Sequence, residues 1–173
     1  MTKTLILIPS RMAATRLPGK PLLKINNLSI ISHVFKRAEE AKIGEVVVAT
    51  DDQGILKDVL KNGGKAILTN KNHKTGTDRI YEAYEKLDIK NIDYILNLQG
   101  DEPDINKDDI INLNKLMINQ DAELGTLAAK IQDNKMLDNK NVVKVITDKK
   151  LKEDNFPIAL NFTRDNLSTD NEN

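Results

Sequence analysis

The sequence predicts an α/β domain with a mostly parallel, doubly wound sheet. Short, continuously apolar segments recur from the N-terminus to about residue 99 of the 173-residue chain, a pattern typical of strands buried on both faces. Longer segments with apolar residues at helical spacing separate and follow them. Such strand–helix alternation is typical of a parallel sheet with helices packed on its faces.

The composition excludes several classes of protein. Lys and Arg together number 26, as do Asp and Glu, so no overall charge favours nucleic acid or an anionic membrane as a partner. The chain has no cysteine, which excludes disulfides and thiolate zinc sites. The first apolar segment is too short for a signal peptide or a membrane span. We expect one domain over residues 1–173 of a soluble, cytoplasmic protein.

Four strands and four helices account for the first part of the chain. The predicted strands are residues 4–9, 45–51, 65–69 and 93–99. The predicted helices are residues 28–43, 53–63, 77–88 and 107–120. Gly44 and Gly63 suit the ends of the first two helices, because glycine readily adopts the left-handed conformation found there. Further strands are predicted at residues 123–131, 141–147 and 156–163, forming mixed or antiparallel edges.

Polar or charged residues follow each of the four buried strands. The first strand leads into a basic loop, and the second is followed by Thr50 and Asp51. The third leads into residues 72–79, and the fourth ends in residues 99–103. Because ligands bind at the carboxyl ends of strands in open parallel sheets, we expect these segments to form one binding site.

The basic loop after the first strand has the chemistry of a phosphate site. Arg11, Arg16 and Lys20 occur there without an acidic residue. Gly19 allows backbone N–H groups to approach an anion, while arginine and lysine bind phosphate oxygens. The loop matches neither a Walker A sequence nor a GxGxxG fingerprint. We favour a phosphate site over the alternative, a solvated basic loop.

Asp101 is the candidate metal ligand. It adjoins Glu102, but in an extended chain the two carboxylates point to opposite sides. One carboxylate together with nucleotide phosphate oxygens suits Mg²⁺. The alternative is a turn in which Asp101 caps the next helix.

The segment 72–79 leads into the third helix and admits two interpretations. Thr77 is a possible N-cap, with Asp78 favourable to the helix dipole. Arg79 lies in the first turn, where a cation is unfavourable, which favours a functional role for it. His33 and His73 are interpreted as structural or surface residues.

Five segments together resemble the 3-deoxy-manno-octulosonate cytidylyltransferase (CMP-Kdo synthetase) family. They follow in the family's order and at its spacing: residues 8–22, 46–52, 72–79, 96–103 and 141–148. The resemblance implies a three-layer α/β/α sandwich of the nucleotide-diphospho-sugar transferase type. It also implies a Mg²⁺-dependent reaction of CTP with Kdo, giving CMP-Kdo and pyrophosphate for bacterial lipopolysaccharide synthesis. Family members are usually homodimers.

The resemblance implies roles for individual residues. Arg11 and Lys20 match triphosphate-binding positions, with Arg16 and Gly19 in the same loop, and Asp101 matches a metal-binding aspartate. Four residues match positions around the nucleotide: Thr75, Gly76, Arg79 and Gln99. Arg164 matches an arginine expected to pair with the Kdo carboxylate.

The resemblance departs from the family after Arg164. A later His-containing segment and a second metal-binding aspartate are missing, and Asn161 replaces a common aromatic residue. We therefore expect a domain incomplete at its C-terminus. Two alternatives remain: a related nucleotidyltransferase acting on another 2-keto sugar acid, such as acylneuraminate, and a catalytically inactive nucleotide-binding remnant.

Overall fold

The computed structural model describes residues 2–12, 17–152 and 155–165. These residues fall into two compact units, Met1–Glu123 and Leu124–Asn173, which are described separately below. Whether both units belong to one nucleotidyltransferase domain stays a prediction. Within the described ranges, every helix is too short or too polar to span a bilayer.

The first unit contains six strands and four α-helices among its described residues. The strands are β1 (Thr4–Ser10), β2 (Lys24–Ile25), β3 (Leu28–Ser29), β4 (Gly44–Thr50), β5 (Ala66–Leu68) and β6 (Tyr94–Asn97). The α-helices are α1 (Ile30–Glu40), α2 (Gln53–Lys61), α3 (Gly76–Leu87) and α4 (Lys107–Gln120). The four strands and four helices expected from the sequence are thus confirmed, with α4 correct at both ends.

The main sheet is parallel, with strand order β5-β4-β1-β6. The side chains of β1 alternate between two cores. Ile6 and Ile8 pack with apolar residues of α1, α2 and α4 on one face. Leu5 and Leu7 pack with Ile80 and Ala83 of α3 on the other. Helices therefore cover both faces, and the predicted three-layer α/β/α class is confirmed.

Gly44 has a different role from the predicted one. Helix α1 ends at Glu40, and Lys42 adopts the left-handed conformation, with φ of 53°. Gly44 instead begins β4, where a Cβ would lie 1.8 Å from the backbone oxygen of Thr4. Its missing side chain allows β1 and β4 to pair. Gly63 does follow α2 in the left-handed region, with φ of 85°, as predicted.

The second unit contains one short helix and an antiparallel strand pair. These are α5 (Asn134–Asp138), β7 (Lys144–Thr147) and β8 (Ala159–Thr163). The last two predicted strands are confirmed over shorter ranges. The strand predicted at residues 123–131 is wrong, because that segment has no strand pairing among the described residues and leaves Leu124 91% exposed.

Candidate functional site

The basic loop and the acidic turn meet at the carboxyl ends of β1 and β6. The ammonium Nζ of Lys20 lies 2.7 Å from Oδ2 of Asp101. Both side chains are accessible, at 32% and 56% exposure. The meeting follows from the topology, since β1 and β6 are parallel neighbours and the loop and the turn leave the same end of the sheet. The structure therefore brings a predicted triphosphate-binding residue, Lys20, to the predicted metal ligand, Asp101.

Two glycines position this ion pair. Gly19 has a φ of 75°, a conformation that favours glycine, and precedes a short 3₁₀ turn beginning at Lys20. Gly100 precedes Asp101 and lies against β1, where a Cβ would come within 2.8 Å of the Pro9 carbonyl oxygen. Gly100 thus lets the turn that carries Asp101 approach β1, and Gly19 provides the backbone conformation that precedes Lys20.

A cavity of about 200 Å³ lies at the same end of the sheet. Its walls come from the end of β1, the start of α3 and the residues following β6. They include Ser10, Arg11, Thr75, Gly76, Arg79 and Gln99. The four residues predicted to surround a nucleotide thus line one cavity together with Arg11.

Arg79 is held within this cavity wall by the ends of two other strands. Its side chain is only 3% exposed. One nitrogen, Nη2, donates to Asp51 Oδ2 at 2.9 Å, and the other, Nη1, donates to Thr69 Oγ1 at 2.6 Å. The negative charge of Asp51 offsets the unfavourable position of a cation in the first turn of α3. Asp51 was predicted at a strand end, but its pairing with Arg79 was not predicted.

The N-cap of α3 is Thr75, so the assignment of Thr77 is wrong. Thr75 Oγ1 accepts from the Asp78 N–H at 3.1 Å, and Asp78 Oδ2 accepts from the Thr75 N–H at 3.2 Å. This reciprocal capping box requires an acidic residue three positions after the cap, which only Thr75 has. Gly76 lies beside β1, because a Cβ there would come within 3.2 Å of Pro9 Cγ.

Ser10 carries a buried hydroxyl that makes no hydrogen bond within the part of the chain that the structure describes. The residue is 6% exposed and borders the cavity. An unsatisfied buried hydroxyl is unfavourable, and a bound ligand or an ordered water would satisfy it.

The structure describes two of the other three predicted arginines. Arg11 is exposed and makes no hydrogen bond or ion pair with the described residues. Arg16 lies outside the described residues. Arg164 belongs to the second unit, where its Nη1 donates to the carbonyl oxygens of Lys140 and Asn141, each at 3.2 Å. Their roles stay predictions.

His73 borders the cavity, and its Nε2 forms a hydrogen bond with Glu82 Oε2 on α3, consistent with a structural histidine. Lys86 donates to the other oxygen of Glu82 at 2.6 Å. Hydrogen bonds from Lys86, His73 and the Asn70 N–H lower the pKa of Glu82 from 4.5 to about 2. Glu82 thus links α3 to the segment that enters the cavity wall.

The lowered pKa of Glu82 predicts acid sensitivity. A carboxyl whose pKa is depressed by folding contributes stability above its unfolded pKa, and that stability is lost as pH falls through the folded pKa. Between pH 4.5 and about 2, the free energy of unfolding should therefore fall more steeply in the wild type than in Glu82→Gln. Urea unfolding at a series of pH values measures both slopes.

Glu39→Gln is the matched control, because Glu39 is exposed on α1 and its carboxylate makes no hydrogen bond or ion pair among the described residues. Its slope should follow that of the wild type. Equal slopes in all three proteins would contradict the contribution assigned to Glu82.

Comparison with known proteins agrees with the fold. A family model described as cytidylyltransferase matches residues 5–167. A 3-deoxy-manno-octulosonate cytidylyltransferase from Nitrobacter hamburgensis is 49% identical over 84% of this chain and 57% of its own length. The enzyme of the same name from Rhodopseudomonas palustris is 46% identical over 94% of this chain and 66% of its own. This chain therefore spans less than two thirds of either relative.

A solved structure of CMP:2-keto-3-deoxy-manno-octonic acid synthetase complexed with CTP is similar throughout. The match has a TM-score of 0.81 and 35% sequence identity, and it covers 99% of this chain and 68% of that one. The parallel sheet, the lysine–aspartate pair at its edge and the family match lead to one assignment. The chain belongs to the 3-deoxy-manno-octulosonate cytidylyltransferase family of cytidylyltransferases.

Proposed function

We propose that this chain binds CTP at the carboxyl end of its sheet and transfers the cytidylyl group to Kdo, giving CMP-Kdo and pyrophosphate for lipopolysaccharide synthesis. One observation carries the proposal: Lys20 and Asp101 meet at the same end of the sheet as a cavity that Arg11, Thr75, Arg79 and Gln99 line. A cationic group and a carboxylate at one rim match the needs of a metal-bound triphosphate. The names of the relatives and the CTP complex of the solved structure support the choice of substrates.

The proposed reaction is an in-line displacement. The anomeric hydroxyl oxygen of Kdo attacks the α-phosphorus of CTP, the proton of that hydroxyl is released, and the bond from the α-phosphorus to the bridging oxygen breaks. Pyrophosphate leaves with the electrons of that bond. Lys20 and Arg11 orient the triphosphate and stabilise the negative charge that develops on the leaving group. Arg164 is proposed to bind the Kdo carboxylate, because its planar guanidinium matches that group.

Asp101 fits a metal that the nucleotide itself helps to hold. One of its oxygens pairs with Lys20, and the other accepts no hydrogen bond from the described part of the chain. Among the described residues, no three His, Asp or Glu side chains form a metal-binding group. Mg²⁺ commonly uses one or two carboxylates plus phosphate oxygens. When bound, it would neutralise phosphate charge and make the α-phosphorus more electrophilic.

Recognition of the base is proposed for the cavity. Cytosine offers acceptors at O2 and N3 and a donor at its amino group. Arg79 supplies N–H donors for the acceptors, and Gln99 supplies both a donor and an acceptor. The Thr75–Gly76 backbone at the start of α3 completes the wall.

Calorimetry and a turnover assay test the proposal. Isothermal titration should show CTP binding in the presence of Mg²⁺ and weaker binding of UTP. Pyrophosphate should then be released when Kdo is added, but not when N-acetylneuraminate is added. Release with neuraminate alone would contradict the substrate, and CTP binding without any release would favour the inactive remnant.

A further inference from the structure

We propose that Asp51 is a positioning residue for the nucleotide base, because it fixes the Arg79 guanidinium in the cavity wall. The inference rests on the proposed function, since the ligand concerned is CTP. Asp51 immediately follows β4 and keeps 17% of its side chain exposed. Its Oδ2 accepts from Arg79 Nη2 at 2.9 Å.

A second strand end holds the other side of the same guanidinium. Arg79 Nη1 donates to Thr69 Oγ1 at 2.6 Å and to the Asn70 carbonyl oxygen at 3.4 Å. Thr69 is only 7% exposed, and its own N–H donates to the Thr50 carbonyl oxygen at 2.8 Å. Asp51 and Thr69 thus directly follow β4 and β5, which are adjacent, hydrogen-bonded strands. The plane of the guanidinium is therefore fixed by the sheet and not only by α3.

The hydrogen bonds of Arg79 leave donors for a ligand. A guanidinium carries five N–H donors. The described residues accept two hydrogen bonds at Nη1 and one at Nη2, which leaves Nε–H and the second Nη2 N–H. Arg79 borders the cavity although it is almost fully buried. A cytosine ring in this cavity, with two acceptors on one edge, can accept from those remaining donors.

Asp51 is the partner with the largest influence on this arrangement. A buried guanidinium at the positive end of α3 is unfavourable unless a negative charge is close. Thr69 and the Asn70 carbonyl are neutral, so among the described residues that Arg79 contacts only Asp51 supplies that charge. Without it, the side chain gains rotamers in which its free donors no longer face the ligand.

The alternative is that the Asp51–Arg79 ion pair only stabilises the fold. Two ligands that differ in whether they contain a base distinguish this role from base positioning. CTP has a base and a triphosphate, whereas inorganic tripolyphosphate has only the phosphates. Lys20 and Arg11, assigned to the phosphates, make no hydrogen bond to Asp51. Loss of base positioning should therefore weaken CTP binding and leave tripolyphosphate binding unchanged. A general loss of structure would weaken both.

The test is isothermal titration of the full chain with each ligand in the presence of Mg²⁺. Asp51→Asn should raise the Kd for CTP by about tenfold and change that for tripolyphosphate by less than about twofold. Glu45→Gln is the matched control, because Glu45 lies near the other end of β4 and pairs with Lys65 at the same kind of distance, 2.7 Å. The control should bind both ligands as the wild type does.

Thr69→Val provides a second variant if Asp51→Asn does not fold. It removes the hydroxyl acceptor while keeping the shape of the side chain, and it should raise the Kd for CTP by about threefold with tripolyphosphate unchanged. Equal losses for both ligands, or no loss for either, would overturn the inference. If wild-type protein itself fails to bind CTP, the proposed function fails as well. Wild-type binding with unchanged variants rejects only the role of Asp51.

Discussion

Lys20→Ala is expected to weaken CTP binding by about 1.5–3 kcal/mol, the range for hydrogen bonds to charged groups. This corresponds to a rise in Kd of roughly tenfold to 150-fold. The ammonium is the charge that the basic loop brings to Asp101, and in the proposed complex it binds oxygens of the triphosphate. Titration of CTP in the presence of Mg²⁺ measures the change.

Folding should be little affected by the same substitution. The Lys20–Asp101 pair is exposed, and exposed ion pairs contribute only about 0–1 kcal/mol to stability. Lys24→Ala is the control, because Lys24 is exposed in β2 and its ammonium makes no hydrogen bond or ion pair with the described residues. Unchanged CTP affinity in a folded Lys20→Ala protein would show that the loop does not hold the triphosphate.

Gly44→Ala should lower the free energy of unfolding by about 3 kcal/mol or more. The added Cβ would lie 1.8 Å from the oxygen and 2.7 Å from the carbonyl carbon of Thr4. Both are backbone atoms of β1, which pairs with β4 and β6 in the interior of the sheet. Relief of the clash requires separating two paired strands. Urea unfolding of the soluble variant measures the loss.

Gly63→Ala separates this steric effect from the backbone preference of glycine. Gly63 has a φ of 85°, but a Cβ there would meet no atom within 4 Å. The expected loss is only about 1–2 kcal/mol, the cost of the left-handed conformation. If both variants lost the same stability, the close approach of β1 and β4 would not explain Gly44.

Much of the first unit was predictable because its signals are local. Continuous apolar segments identified the parallel strands, and the range predicted for the fourth helix matches α4 at both ends. The meeting of the basic loop with Asp101 was also predictable, because parallel strands place their carboxyl ends at one edge. The binding roles assigned to Arg11, Arg79 and Gln99 stay predictions.

The errors arise where the answer depends on contacts distant in sequence. The clash that requires glycine at position 44 involves Thr4, and the partner of Arg79 is Asp51, 28 residues earlier. Residues 123–131 have the composition of a strand, yet strand formation needs a neighbour to accept the backbone hydrogen bonds. The wrong N-cap predicted for α3 does not depend on a distant contact, because the spacing from Thr75 to Asp78 is visible in the sequence.

The pairing of Lys20 with Asp101 gives each group a counter-charge before any ligand arrives. A metal–nucleotide complex carries both signs, so the ammonium can exchange its carboxylate for phosphate oxygens while the carboxylate exchanges its ammonium for a cation. Both groups would then keep a counter-charge during the exchange. Under the proposed function, entry of the metal–nucleotide complex would therefore exchange the ionic partners of both groups at the rim of the sheet, with little electrostatic cost to loading or to release.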